Sequence, residues 1–285
     1  MKNMLHSEFK RKNINYVSLL QEIPNCTLSI SIVIYRNYDD VFNALQSIEN
    51  LSSPKLNKII YLIDNSNFDI NENFERLKCE NFRKKIEGYN DIKYLYTNAN
   101  LGFGKGHNYV IGMLNSKYHA IVNPDILLVN DVFKNLIDYL DNDDSIGMTI
   151  PKIIDSDGNI QKAYRRELTK MDIFVRVFVK FGAKKAKDRH TMQDMDYSRP
   201  FQVPFAQGSF LLIRTNLFKE LNGFDERYFM YMEDADLCKR VNGISKIMYC
   251  QYAIVRNKWK KESHTNIRLL LVHIKSMHKY FVKWK

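Results

Sequence analysis

Residues 28–67 read LSISIVIYRNYDDVFNALQSIENLSSPKLNKIIYLIDNSN, and their order decides the fold. Leu28 to Tyr35 alternates and then runs apolar, as a strand covered on both faces does. Val41, Phe42, Leu45 and Ile48 follow at helical spacing behind Asp39 and Asp40, and Leu51-Ser-Ser-Pro54 ends that helix. Lys58 to Ile63 is a second strand, closed by Asp64-Asn-Ser-Asn67. Strand, helix and strand in this rhythm make a βαβ unit, and a βαβ unit requires a parallel sheet.

The same rhythm continues outward. A third strand, Ile92 to Tyr96, is closed by Thr97-Asn-Ala-Asn100, and Asn100-Leu-Gly102-Phe-Gly104-Lys-Gly106-His-Asn108 leads into an expected helix with Tyr109, Val110, Met113 and Leu114 inward. A fourth strand, Tyr118 to Val122, runs into Asn123-Pro-Asp125; helix Val132 to Leu140 and strand Ile146 to Ile150 come next. From Tyr164 to Arg199 the pattern changes to an amphipathic helix (Ile173, Phe174, Val177, Phe178, Phe181) and a basic loop, read as an insertion on the sheet. Phe205 to Ile213 is again strand-like, Thr215 opens a helix through Leu221, and Asn222-Gly223 stops it. Ile247 to Val255 is a strand, and Thr265 to Trp284 a terminal helix with Ile267, Leu270, Leu271, Ile274, Met277 and Phe281 on one side.

A chain of 285 residues, 45% hydrophobic and 26% charged, can bury a sizeable core and is neither disordered nor fibrous. Four scattered cysteines without a CxxC pair argue against a zinc site and a disulfide framework, so a reducing cytoplasm is expected. The opening MKNMLHSEFKRKNINY lacks the apolar centre of a signal peptide, and no apolar run reaches the ~18 residues of a spanning helix. Net charge is +11, of which +8 falls between Arg256 and Lys285. Such a surface seeks phosphate, on nucleic acid, anionic lipid or a diphosphate substrate.

In an open parallel sheet, ligands bind beyond the carboxyl ends of the strands, and the conspicuous polar residues fall there. Each taken alone has a plain structural explanation as turn chemistry. Together they are chemically consistent: backbone N–H groups of a glycine loop cradle a phosphate, with Lys105 adding charge. Asp64 is a candidate acceptor from a ribose or nucleobase, and Asp125 a candidate ligand for a metal bridging a diphosphate. The remaining candidate is Glu233-Asp-Ala-Asp236, set directly after Tyr228-Phe-Met-Tyr-Met232, so that acid lies against apolar bulk. A carboxylate so placed can be a base or simply a helix start; Asp236 and Arg240 form an i,i+4 pair.

The run DNSN, NxGxGxGxN, NPD and GSFLLIRTNLFKELNGFDERYFMYMEDADLCKR resembles the inverting family-2 glycosyltransferases, particularly the bacterial rhamnosyltransferase-like branch. The resemblance covers roughly Leu28 to the C-terminus, apart from Tyr164 to Arg199. It implies an α/β fold of the GT-A type, Rossmann-like, with a mostly parallel sheet flanked by helices and a C-terminal amphipathic helix. The implied organisation is an N-terminal extension (1–27), a transferase region (28–255, its nucleotide-binding half ending at 150) and a basic helical segment (256–285). It implies further that Asp64, Asn100, Gly102, Gly104, Lys105, Gly106, Asn108 and Asn123 hold the nucleotide, and that Asp125 takes Mg2+ or Mn2+. Asp234 becomes the base with Glu233 beside it, and Tyr228, Phe229, Tyr231 and Met232 wall the sugar or acceptor. Two departures stand out. Asn123 replaces an acid in the metal motif, and Arg256 stands where many relatives carry a histidine, leaving Arg256 on phosphate or His264 on metal as alternatives.

The expected reaction is inverting transfer of a sugar, with rhamnose the branch's suggestion, from a dTDP- or UDP-sugar to a glycan or undecaprenyl-diphosphate-linked acceptor, in O-antigen or capsule synthesis. The competing readings are a non-catalytic phosphate or nucleic-acid binder and a nucleotidyltransferase; the aromatics follow core periodicity, so no nucleic acid is expected. Ile267, Leu270 and Ile274 are expected to pack on the chain's own sheet. Lys275, Lys279, Lys283, Trp284 and Lys285, with Phe178, Phe181 and Lys184 to Arg189, suit peripheral attachment to an anionic membrane at the cytoplasmic face.

Overall fold

The computed structural model describes residues 26–167, 188–258 and 267–285. Expectations for Phe178, Phe181 and His264 fall outside them. The first unit forms as its sequence requires: β1 (Cys26–Ile34), α1 (Tyr38–Leu51) and β2 (Lys58–Asp64). Leu28, Ile30, Ile32 and Ile34 lose all contact with water, and α1 covers them with Val41, Ala44, Leu45 and Ile48. Side chains of this kind each stabilise the fold by roughly 1.5–3 kcal/mol when fully buried.

α2 (Asn73–Ile86) leads to β3 (Ile92–Tyr96), and α3 (Phe103–Asn108) to β4 (Ser116–Val122), β5 (Ile126–Leu128) and α4 (Val132–Asn142). Beyond these lie β6 (Ile146–Ile154), β7 (Tyr164–Arg165), β8 (Phe201–Gln202), β9 (Phe205–Ala206) and β10 (Phe210–Arg214). The chain then forms α5 (Thr215–Glu220), α6 (Glu233–Asn242), β11 (Lys246–Asn257) and α7 (Ile267–Lys283). The nine-stranded sheet runs β3-β2-β1-β4-β10-β6-β11-β5, with β8 also on β11. β1, β2, β3, β4, β6 and β11 point one way; β10, β5 and β8 oppose them. β7 and β9 form a separate two-stranded ribbon.

Two expectations are corrected. The glycine segment is not a loop ahead of a helix; it is the helix, since α3 contains Gly104 and Gly106 and only a 3₁₀ turn, Ile111–Met113, follows. The terminal helix is rotated relative to its expected packing. Ser276 and Tyr280 are the buried side, whereas Ile267, Leu270, Leu271 and Ile274 are exposed. What turns α7 this way is polar. Lys283 and Trp284, expected to be available to lipid, donate instead to Asp236 Oδ1 at 2.6 and 2.9 Å, and Arg240 Nε donates to Asp236 Oδ2 at 2.8 Å. Lys283 also reaches Asp225 at 2.8 Å. Asp236 is fully buried, so its charge is offset by these protein partners in place of solvent.

Removing one member of a buried ion cluster leaves the others unpaired. Asp236→Asn is therefore expected to lower unfolding stability in urea by about 3–5 kcal/mol, whereas Lys78→Met, which breaks a half-exposed helical pair with Glu75, is expected to change it by less than about 1 kcal/mol.

Candidate active site

The parallel strands place Ile34, Asp64 and Tyr96 in register at one edge of the sheet. Asp64 is fully buried there. Its Oδ1 accepts from the Ser66 amide at 2.8 Å, and its Oδ2 from the hydroxyls of Tyr38 at 2.9 Å and Tyr94. Burial raises the pKa of both tyrosines, so they remain donors to the carboxylate. The next residue reaches the glycine segment, because Asn65 Nδ2 donates to the Gly102 carbonyl at 3.0 Å.

Gly102 lies at φ +79°, and a Cβ there would sit 2.1 Å from the Phe229 carbonyl oxygen. No residue with a side chain fits that approach. The Phe103 amide donates to the same oxygen at 3.1 Å, which ties the glycine segment to the aromatic loop. A Cβ on Gly104 would lie 2.8 Å from Phe224 Cβ and 3.6 Å from Glu233 Cβ, so this glycine lets α3 approach the start of α6. Asn100 Oδ1 accepts from the Gly102 amide at 3.1 Å. Asn108 spends both ends of its amide on the Phe224 backbone, at 2.8 Å each. Lys105 is exposed, 3.9 Å from Glu226.

Glu233 and Asp234 open α6, behind two residues held in the left-handed region, Tyr231 (φ 70°) and Met232 (φ 71°). Non-glycine residues there cost of order 1–3 kcal/mol each. Neighbouring contacts impose the shape: Ser276 Oγ donates to the Met230 carbonyl at 2.9 Å, and the Tyr231 ring lies 4.8 Å from His273. Tyr228 and Met232 are buried and Tyr231 is half-buried, leaving Phe229, 42% exposed, as the most accessible of the expected wall residues.

The two carboxylates have different surroundings. Asp234 accepts from the Gly208 amide at 3.1 Å and the Ala235 amide at 2.8 Å, and Arg165 adds positive charge. Burial still raises its pKa. Glu233 is 5% exposed, its Oε2 has no partner, and burial together with the Asp234 charge pushes it up to about 8. Burial and mutual repulsion oppose ionisation of both carboxyls at once, and the two amides favour the charge on Asp234 over Glu233.

Gly208 also links this pair to the Asn-Pro-Asp turn, since the next residue, Ser209, accepts from the Asn123 amide at 2.9 Å. Asp125 Oδ1 is buried and unpartnered, and burial and Asp40 raise the pKa of its carboxyl. Arg256 is exposed on β11, opposite Leu127, and the Lys258 amide donates to the Asp125 carbonyl at 3.1 Å, so the end of β11 borders the turn. Among the described residues no three His, Cys, Asp or Glu side chains gather into a metal cluster. An orphaned carboxylate oxygen beside a second acid nonetheless fits Mg2+ or Mn2+, which take their remaining ligands from water and phosphate.

Sequence reasoning missed Gly208, Ser209, Asp40 and Arg165. Arg165 reaches Asp234 only because β7 pairs with β9, a pairing that no local spacing announces. It missed also a buried polar chain beneath the glycine segment. Thr215 Oγ1 lies 3.1 Å from Ser116 Oγ, which is 2.7 Å from Ser29 Oγ. Ser29 Oγ is 2.8 Å from His119 Nδ1; His119 Nε2 is 3.0 Å from Ser31 Oγ; Ser31 Oγ is 2.7 Å from His107 Nδ1. Burial holds both imidazoles down at about 3, and His107 Nε2 has no partner.

The sequence profile described as "Glycosyl transferase family 2" matches residues 29–221. Rhamnosyltransferase WbbL of Escherichia coli K12 is 27% identical over 218 residues, 74% of this chain and 75% of that one. The N-acetylglucosaminyl-diphospho-decaprenol L-rhamnosyltransferase of Mycobacterium tuberculosis H37Rv is 29% identical over 172 residues, 55% of each chain. Among solved structures, GalNAc-T7 with UDP, GalNAc and Mn2+ superposes with a TM-score of 0.61 at 18% identity, covering 83% of this chain and 44% of that one. TarS 1–349 of S. aureus with UDP gives 0.54 at 13% identity, covering 82% and 61%. These superpositions bear out the α/β fold of the GT-A type; the chain spans about half of the GalNAc-T7 chain and just over half of the mycobacterial relative.

The raised Glu233 has a measurable sign. Between its ordinary range and about 8 the folded chain keeps a proton that the unfolded chain has lost, so stability falls as pH rises through this window. Glu233→Gln is expected to match the wild type at about pH 4 and to exceed its unfolding stability by a few kcal/mol at about pH 9; urea melts at the two pH values check this.

Proposed function

The chain belongs to glycosyl transferase family 2, and from that premise we propose that it moves a sugar from a nucleoside diphosphate to a glycan hydroxyl, with inversion, in cell-surface polysaccharide synthesis. The observation that carries this reading is the hydrogen bond from the Gly208 amide to Asp234, which joins the candidate base to the turn carrying Asp125. Rhamnose is the sugar in the names of both the E. coli and the mycobacterial relatives, so a dTDP- or UDP-linked rhamnose is the first donor to test. The mycobacterial name also specifies a lipid diphosphate acceptor, and a lipid-linked glycan is the acceptor class proposed here.

In this mechanism Asp234 accepts the proton of the acceptor hydroxyl while that oxygen attacks the anomeric carbon. The bond from that carbon to the diphosphate oxygen breaks, the electron pair leaves with the diphosphate, and the configuration inverts. Glu233, neutral, keeps a second negative charge out of the pocket. The glycine segment and Asn65 shape the donor side, and Asp64 fixes the wall of that side through Tyr38 and Tyr94. Phe229 and Tyr231 border the acceptor. Asp125 would hold Mg2+ or Mn2+ together with diphosphate oxygens, and the bound ion supplies positive charge against the leaving group. Arg256 and Lys105, both exposed, add charge for phosphate. Tyr61, Tyr118, Tyr164, Tyr228 and Tyr249 are fully buried and serve the core, not a stacking surface for nucleic acid.

The test is a panel of nucleotide-sugars, read by thermal shift with and without Mg2+ or Mn2+ and by release of nucleoside diphosphate. Asp234→Asn is expected to lower kcat by about 10²–10⁴-fold while the donor-induced thermal shift persists. Retained turnover in that variant defeats the assignment of the base.

A further inference from the structure

α7 has two faces, and the protein uses one of them. Ser276 and Tyr280 turn inward, Ser276 holds the Met230 carbonyl, and Lys279 Nζ donates to the Arg227 carbonyl at 2.5 Å. On the far side Ile267, Leu270, Leu271 and Ile274 follow the i, i+3, i+4, i+7 spacing of one helical stripe and are 75, 55, 53 and 48% exposed. Beside the stripe stand Arg268 and Lys275, two turns apart along one side of the helix and exposed. Four large apolar side chains in a row need a partner when a soluble surface normally scatters them.

The chemistry of the stripe's edge selects that partner. A second copy of this chain carries the same basic row and a net charge of +11, so face-to-face association brings like charges together. Four side chains are also few for a stable protein interface, which takes about 20–30 residues a side. An apolar stripe with a cationic border instead matches the boundary between acyl chains and anionic head groups. Among the described residues no helix is long and apolar enough to cross a membrane, so such a helix would lie along the surface.

We propose that the Ile267, Leu270, Leu271 and Ile274 face of α7 docks on an anionic lipid surface, with Arg268 and Lys275 toward the head groups. Loop 227–232 hangs from the same helix through Ser276, Lys279 and the Tyr231 and His273 rings, and runs directly into Glu233 and Asp234. Docking therefore sets the candidate base beside the bilayer, where a lipid-borne acceptor is presented. The proposal rests on the transferase reading for this purpose, but its test does not.

The experiment is flotation of the whole chain with phosphatidylcholine vesicles, with and without phosphatidylglycerol. Binding is expected to require phosphatidylglycerol and to weaken as salt rises. Leu271→Glu combined with Ile274→Glu is expected to weaken it at least about tenfold with Tm and oligomeric state unchanged. Binding equal on both vesicle types overturns the proposal, as does binding that survives the double substitution. A double variant with lowered Tm or a dissociated dimer, without vesicle binding in the wild type, shows that protein covers the stripe and overturns it too. Release of nucleoside diphosphate onto a water-soluble acceptor is read in parallel. No vesicle binding with turnover intact sinks the docking alone; vesicle binding with no turnover sinks the transferase reading alone.

Discussion

Asp236 is a carboxylate with no surface open to solvent, and the arrangement of the site's second half follows from how its two oxygens are satisfied. Arg240, one turn along the same helix, takes one oxygen; Lys283 and Trp284, from the far end of the chain, take the other. Arg240 in addition donates to the carbonyls of Leu221 and Gly223, at 2.8 Å each. One carboxylate thereby fixes α6, the end of α5 and α7 relative to one another. Because Glu233 and Asp234 are the first residues of α6, the same cluster determines where the coupled carboxyl pair stands. A hydrophobic contact in this place could slide; a buried ion pair with three directional donors cannot do so without exposing a charge.

The rim of the site relies on close backbone approach to the same degree. Gly102 meets the Phe229 carbonyl, Gly104 meets Phe224, and a Cβ on Gly208 would fall 3.3 Å from Asp234 Cβ. The glycines here do less to expose amides than to remove side chains from places where two segments must touch. The left-handed pair Tyr231 and Met232 is the counterpart of this: a shape the residues do not prefer, imposed by the glycine segment on one side and α7 on the other.

Most of the fold was legible because its signals are periodic. LSISIVIY could only be a strand covered on both faces, and the Val41, Leu45 and Ile48 face only a helix lying on it. The carboxyl-edge positions of Asp64, the glycine segment and Asn123 to Asp125 followed from the order of elements. Contact between distant segments was not legible. Asp64 reads as a polar strand end, yet its partners Tyr38 and Tyr94 come from another helix and another strand. The glycine spacing suits both a phosphate loop and a tightly packed helix, and only Phe224 and Phe229 distinguish them. In α7 the apolar period announces two faces without saying which is inward; Asp236, by capturing Lys283, decides it.

The buried chain from Thr215 to His107 has a property that belongs to none of its members. Each hydroxyl in it can donate once and each neutral imidazole carries one N–H, so an unbroken chain runs in one of two senses, while the Tyr118 and Ala120 carbonyls, 3.5 and 3.4 Å from Ser29 Oγ and Ser31 Oγ, offer those two hydroxyls an exit from it. In one, Thr215 donates to Ser116 and every bond points toward the glycine segment, leaving an N–H on His107 Nε2. In the other every arrow reverses, and that same nitrogen is a bare acceptor. While the chain is unbroken the tautomers of His107 and His119 are set together across β1 and β4, and a hydroxyl on α5 and an imidazole in α3 turn as one; a Ser29 or Ser31 hydroxyl that donates to its backbone carbonyl releases the two ends from each other.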